Sequence, residues 1–172
     1  MRPKGIFTIL AAVVLGLALT AVTAMAQGKK IGKNQLVGTW TLVSADNMKA
    51  DGSKVDVYGP NPKGILIFDR NGNYSLTIMR SDLPKFAAST SDQGTAQENK
   101  AVLAGLITHF GTYSFNEADK TVTSHVVASS FPNLAGAEQK RIISSITKDE
   151  LTYTNPATVT GTSATTSWKR AK

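Results

Sequence analysis

Cysteine does not occur in the 172 residues. Its absence removes thiol nucleophiles, CxxC redox chemistry and every cysteine-ligated zinc or iron–sulfur site. Histidine is almost as scarce. His109 and His125 are the only two, and neither HxxxH nor HExxH spacing occurs, so no metal site is expected. No G-x-S-x-G elbow is present to carry a hydrolase serine. The 14 glycines are scattered among turns instead of being gathered into a phosphate loop. There is no internal repeat, and no alternation of strand and helix that would build a parallel sheet.

The charge is also less than it looks. A formal net charge of +7 suggests a polyanion partner until the basic residues are located. Residues 34–168 hold 11 Lys and Arg against 12 Asp and Glu, a balance of about −1. The excess sits at the ends, in Arg2 and Lys4, in Lys29, Lys30 and Lys33, and in Lys169, Arg170 and Lys172. No nucleic-acid partner is expected from a body of that balance. The terminal clusters read either as solvated tails or as one patch, loosely attracted to anionic lipid or polysaccharide, if first and last strands are neighbours.

The N-terminus reads as a secretory signal peptide. Arg2 and Lys4 form a positive start, an apolar run occupies residues 6–19, and Ala24-Met25-Ala26 has the small-x-small pattern of a cleavage site. The run falls short of the ~20 residues a bilayer core requires. Cleavage after Ala26 is therefore expected, with export to the periplasm or medium and no stable membrane insertion of the mature chain. Residues 27–35 are rich in Gly and Lys and read as a flexible arm. Residues 36–172 suit one domain, and without disulfides its stability must come from core packing.

That domain is rich in short β-forming runs. Residues 36–44 alternate Leu36, Gly38, Trp40 and Leu42 against Val37, Thr39, Thr41 and Val43, as a strand does. Further strands are expected at 54–58, 65–69, 74–80, 111–116, 121–129, 140–148, 151–154 and 163–170. Asn71-Gly72 marks a hairpin whose two turn residues would both take positive φ. The one helix is expected over 95–110, where Thr95 and Glu98 have capping-box spacing and Val102, Leu103, Leu106, Ile107 and Phe110 form a stripe. A long antiparallel meander either closes or leaves two exposed edges. Closure predicts an all-β, antiparallel up-and-down barrel with one accessory α-helix; an immunoglobulin-like sandwich is the alternative, with fewer strands and no place for the helix.

Motifs at both ends sharpen this. Gly38-Thr39-Trp40 resembles the GxW start of lipocalin and calycin barrels, and Trp168-Lys169-Arg170 resembles their last strand, whose arginine covers the first-strand tryptophan. With Gly59-Pro60, Gly64, Met79-Arg80, Phe110-Gly111-Thr112-Tyr113, His125, Phe131-Pro132-Asn133, Gly136 and Arg141, the chain resembles the bacterial and fungal lipocalin-like domain family. The resemblance implies a calycin-type barrel and small-molecule binding, and brings no catalytic set with it.

In a small barrel alternate side chains point inward, so inward polar residues are the informative ones. Arg80 shares a face with Tyr74, Leu76 and Ile78, Tyr113 with Phe115, and Arg141 with Ile143. Strand 121–129 allows two phases, one of which puts His125 inside. In that phase Arg80, Tyr113, His125 and Arg141 form a candidate pocket for an anionic or hydroxylated ligand. In the other reading Arg80 ends its strand at the rim, Arg141 lies on the surface and His125 is a core or surface histidine. Trp40 and Arg170 read as barrel closure. The function expected is an exported binder of a small hydrophobic or amphipathic molecule, without a cofactor. Abundant Ala, Ser and Thr in the last strands would leave room for one. The alternative is a barrel-type cyclase or isomerase acting on a polyketide- or terpenoid-like substrate, with His125 and Tyr113 as its only proton-transfer pair.

Overall fold

The computed structural model describes residues 31–172. The expected signal peptide, residues 1–26, and residues 27–30 of the expected arm, with Lys29 and Lys30, lie outside the described residues. A single turn of helix, α1 (Lys33–Leu36), leads into β1 (Gly38–Met48), a two-residue β2 (Lys54–Val55), β3 (Lys63–Phe68) and β4 (Asn73–Met79). Helix α2 (Ala96–Ala104) comes next, then β5 (Leu106–Asn116), β6 (Thr121–Ser129), β7 (Glu138–Ile146), β8 (Glu150–Asn155) and β9 (Ser163–Arg170). Every pairing is antiparallel, and β1 pairs both β3 and β9, so eight strands close into a barrel while β2 only extends one edge of β1. Closure leaves no long free edge, which is how an all-antiparallel chain avoids pairing with other chains. Among the described residues no helix is long and apolar enough to cross a membrane.

Three expectations change. The described part of the expected arm, residues 31–35, is ordered against the barrel: Ile31 packs on the core, and residues 33–35 form α1 together with the fully buried Leu36, the residue expected to open the first strand. The hairpin at Asn71-Gly72 has positive φ only at Gly72 (92°). Asp69 N–H donates to Asn73 O at 2.9 Å and Gly72 N–H to Asp69 O, so the connection is a three-residue loop with a left-handed glycine. The helix is shorter than expected. Thr95 and Glu98 form the reciprocal capping box, but the helix ends at Ala104 and 106–110 become strand. Gly105 stops it, and β5 then pairs β4 from Leu106↔Met79 onward. Ladder pairing on both edges outweighs a local helical period, and Leu103 and Phe110 of the supposed stripe are exposed.

Register shifts decide which side chains enter the barrel. β1 points Trp40 inward, then shifts register between Leu42 and Ser44, after which the odd-numbered Asn47 is buried. β7 buries Arg141 and Ile143, then shifts between Ile143 and Ser145. Each bulge adds one residue and turns the rest of its strand to the opposite face. At the third, between Phe110 and Gly111, β5 and β6 approach so closely that a Cβ on Gly111 would clash with His125 O and lie 2.9 Å from Val127 N.

Candidate functional site

The two ends of the barrel differ. One is plugged: Leu36, Trp40, Phe68, Tyr113 and Val122 are buried there, and Trp40 Nε1–H donates to Leu36 O at 2.8 Å. The Arg170 guanidinium lies 4.0 Å from the Trp40 ring centroid and donates to Val37 O and Gln35 O at 2.8 Å each and to Lys148 O at 2.6 Å. One side chain thereby ties the α1 segment and the β7–β8 turn across the face of the indole. Arg170 is thus committed to the fold, and Lys33 Nζ sits 5.0 Å over the Tyr113 ring, which reduces what the basic ends can present to a surface.

At the opposite end the interior keeps a cavity of about 50 Å³. Ile78, Ile107 and Leu134 supply apolar wall, Ala164 and Thr166 the small residues of β9, and Asn47, His109, Arg141 and Tyr153 the polar groups. Tyr58 and Val159 reach it from the loops before β3 and before β9. The volume exceeds the ~10–15 Å³ that one water needs and is about a third of a 150 Å³ cavity able to take benzene. It therefore accommodates a few heavy atoms with the walls as they stand.

The polar groups are buried in different states. His109 is 3% exposed, and its Nδ1 lies 2.8 Å from the Tyr74 hydroxyl. Burial, helped by the Arg141 charge, pushes the imidazole down to about 3, so it is neutral at ordinary pH. Burial pushes the Tyr74 and Tyr58 hydroxyls up to about 12, so they too are neutral. Arg141 is 7% exposed; its guanidinium carbon is 5.9 Å from the Tyr153 ring and its Nη1 donates to Lys140 O at 2.9 Å. Among the described residues no carboxylate pairs with it and none lines the cavity. Asn47 is 2% exposed and donates to Thr162 Oγ1 at 3.0 Å, while its Oδ1 is buried with no hydrogen-bond partner among the described residues.

Of the four candidate pocket residues, the structure puts Arg141 alone on this cavity. Arg80 lies just beyond β4 and is held outside by a bidentate pair with Asp82, both bonds 2.9 Å. Tyr113 is inside but at the plugged end, where its hydroxyl donates to Asp69 O at 2.9 Å and its ring packs 4.7 Å from Phe68. His125 is exposed: β6 takes the phase that buries Val122, Ser124 and Val126. The pair His125 and Tyr113 is on opposite sides of the barrel wall and cannot share a substrate. Sequence reasoning misses His109 because the helix expected over 95–110 contains it; the period-two order Ile107, His109, Gly111, Tyr113 is the signal that reveals it. Among the described residues no group of three His, Asp or Glu could hold a metal ion.

A closed antiparallel barrel, plugged at one end and hollow at the other, is a calycin-type cup. The chain belongs to the lipocalin-like domain family, whose model matches residues 37–171. A lipocalin-like protein from Bacteroides uniformis is 17% identical, over 80% of this chain and 99% of its own, with a TM-score of 0.42. Bovine odorant binding protein, solved with its natural ligand, is 13% identical over 86% of this chain and 78% of its own, with a TM-score of 0.42. The redesigned β-barrel mFAP1, bound to DFHBI, is 17% identical over 80% of this chain and 96% of its own, with a TM-score of 0.39. No curated protein matches the chain.

Proposed function

We propose that this is an exported binding protein that holds a small hydrophobic or amphipathic molecule in the open end of its barrel. The observation that carries the reading is the asymmetry of the interior: Trp40 and Arg170 plug one end, while the other keeps a cavity of about 50 Å³ where apolar walls meet a few buried polar groups. Sites of that make-up orient a ligand through few polar contacts and hold it by apolar burial. Export rests on the leader-like pattern of residues 1–26. A ligand with more than a few heavy atoms needs lining side chains to move, and Tyr58, Leu134 and Val159, which come from segments between strands, are the ones not held in a ladder. The cyclase or isomerase alternative loses its support, since its proton-transfer pair is split between the inside and outside of the barrel.

The test is native mass spectrometry of the protein recovered from its producing cell, with solvent extraction of the same sample. Bound small molecules, or saturable uptake of a neutral fluorescent hydrophobic probe, are expected. Mature protein that carries nothing and takes up no probe would overturn the reading. Finding the uncleaved, cytoplasmic chain as the only product would overturn export.

A further inference from the structure

Two groups on the cavity lack what burial normally requires. Arg141 is a cation 7% exposed with one hydrogen bond, to its neighbour's carbonyl, and with no carboxylate partner among the described residues. A guanidinium has five N–H donors and is not deprotonated in proteins, so most of its capacity is unused in a place where an unpaired charge costs several kcal/mol. Asn47 Oδ1 is an acceptor without a donor among the described residues, in the same cavity. Native interiors rarely leave such groups alone, and each has a complement that a ligand can bring.

The complements define a chemical class. Arg141 calls for an anion, and its planar fork suits a carboxylate. Asn47 Oδ1 calls for an O–H or N–H donor. No carboxylate lines the cavity, His109 and Tyr58 on it are neutral, and so is Tyr74, whose hydroxyl bonds His109. A ligand ammonium would therefore meet the Arg141 charge with nothing acidic to offset it, and a hydroxyl is the donor that fits. We infer that the cavity at the open end binds a small hydroxycarboxylic acid, its carboxylate on Arg141 and its hydroxyl donating to Asn47 Oδ1. The inference rests on the proposed binding function and specifies its ligand class. With about 50 Å³ available, the head group fits inside and any longer alkyl tail must run out past the loop side chains.

Calorimetry with 2-hydroxyhexanoate, hexanoate and hexane-1,2-diol separates the contributions, and lactate separates a free small acid from the head of a longer one. Loss of the charge should cost about 10–100-fold in affinity and loss of the hydroxyl about 3–10-fold. Arg141→Met should abolish discrimination between acid and diol, while Arg141→Lys, with its charge but without the fork, should fall between. Arg141→Met should also raise the melting temperature, because it removes a buried unpaired charge; a purely structural arginine would lower it. Equal affinity for acid and diol, or Arg141→Met binding the acid within threefold of the unaltered protein, overturns the inference. If a neutral hydrophobic probe still binds then, the binding function stands; if nothing binds, both fail.

Discussion

Replacing Arg170 with alanine tests the plugged end of the barrel. The change removes two partly buried bonds, to Val37 O and Gln35 O, one exposed bond to Lys148 O, and the guanidinium 4.0 Å from the Trp40 ring centroid. A hydrogen bond from a charged donor contributes about 1.5–3 kcal/mol when sheltered, and the exposed one adds little. The contact with the indole adds about 0.5–1 kcal/mol. The low ends of these ranges apply to a side chain that water still reaches, which gives a loss of about 3–4 kcal/mol. For a domain of this size that is roughly a 10–14 °C fall in Tm. Urea unfolding and calorimetry measure both. Arg170→Lys should recover about a third, because a single ammonium cannot serve carbonyls of two separate segments. In a Trp168→Phe background the emission of Trp40, fully buried in the intact protein, should shift to the red when its cover is lost. A loss below about 0.5 kcal/mol, or a lysine variant as stable as the arginine, would refute the argument that this side chain ties the end together.

The same geometry yields three more expected outcomes. Gly111→Ala should cost about 2–3 kcal/mol in urea titrations, since its Cβ would clash with His125 O and the obstacle is backbone; unchanged stability would mean that β5 and β6 do not approach so closely. His109 keeps its neutral form down to about 3, whereas the unfolded chain protonates near 6.5. Its contribution is therefore intact above pH 6.5 and declines by about 1.4 kcal/mol per pH unit as the pH falls toward 3. His109→Gln should flatten the stability profile between pH 6.5 and 4.5 by about 2–3 kcal/mol, and parallel profiles for the two proteins would contradict a buried neutral imidazole. His125→Ala should change stability by less than about 0.5 kcal/mol and leave probe uptake as it was, because the ring lies outside the barrel; a large drop in uptake would place it inside after all.

The antiparallel meander, the strands at 121–129 and 163–170, and the start of α2 are legible from the residues alone, because each rests on local signals. Alternation sets a strand, and the Thr95–Glu98 capping box sets a helix end. Tertiary structure decided where α2 stops and which residues face the cavity. Leu106, Ile107 and Phe110 fit a helical stripe as well as they fit a strand, and only pairing of β5 with β4 and β6 resolves the choice. Strand 121–129 alternates equally well in either phase, so the exclusion of His125 depends on its neighbours across the barrel. Asn47 enters the cavity because a bulge after Leu42 reverses the faces of β1, and a bulge exists only where two strands are already paired. Side-chain direction in a barrel is thus a property of the closed ladder, and a single residue of register moves a histidine from the interior to solvent.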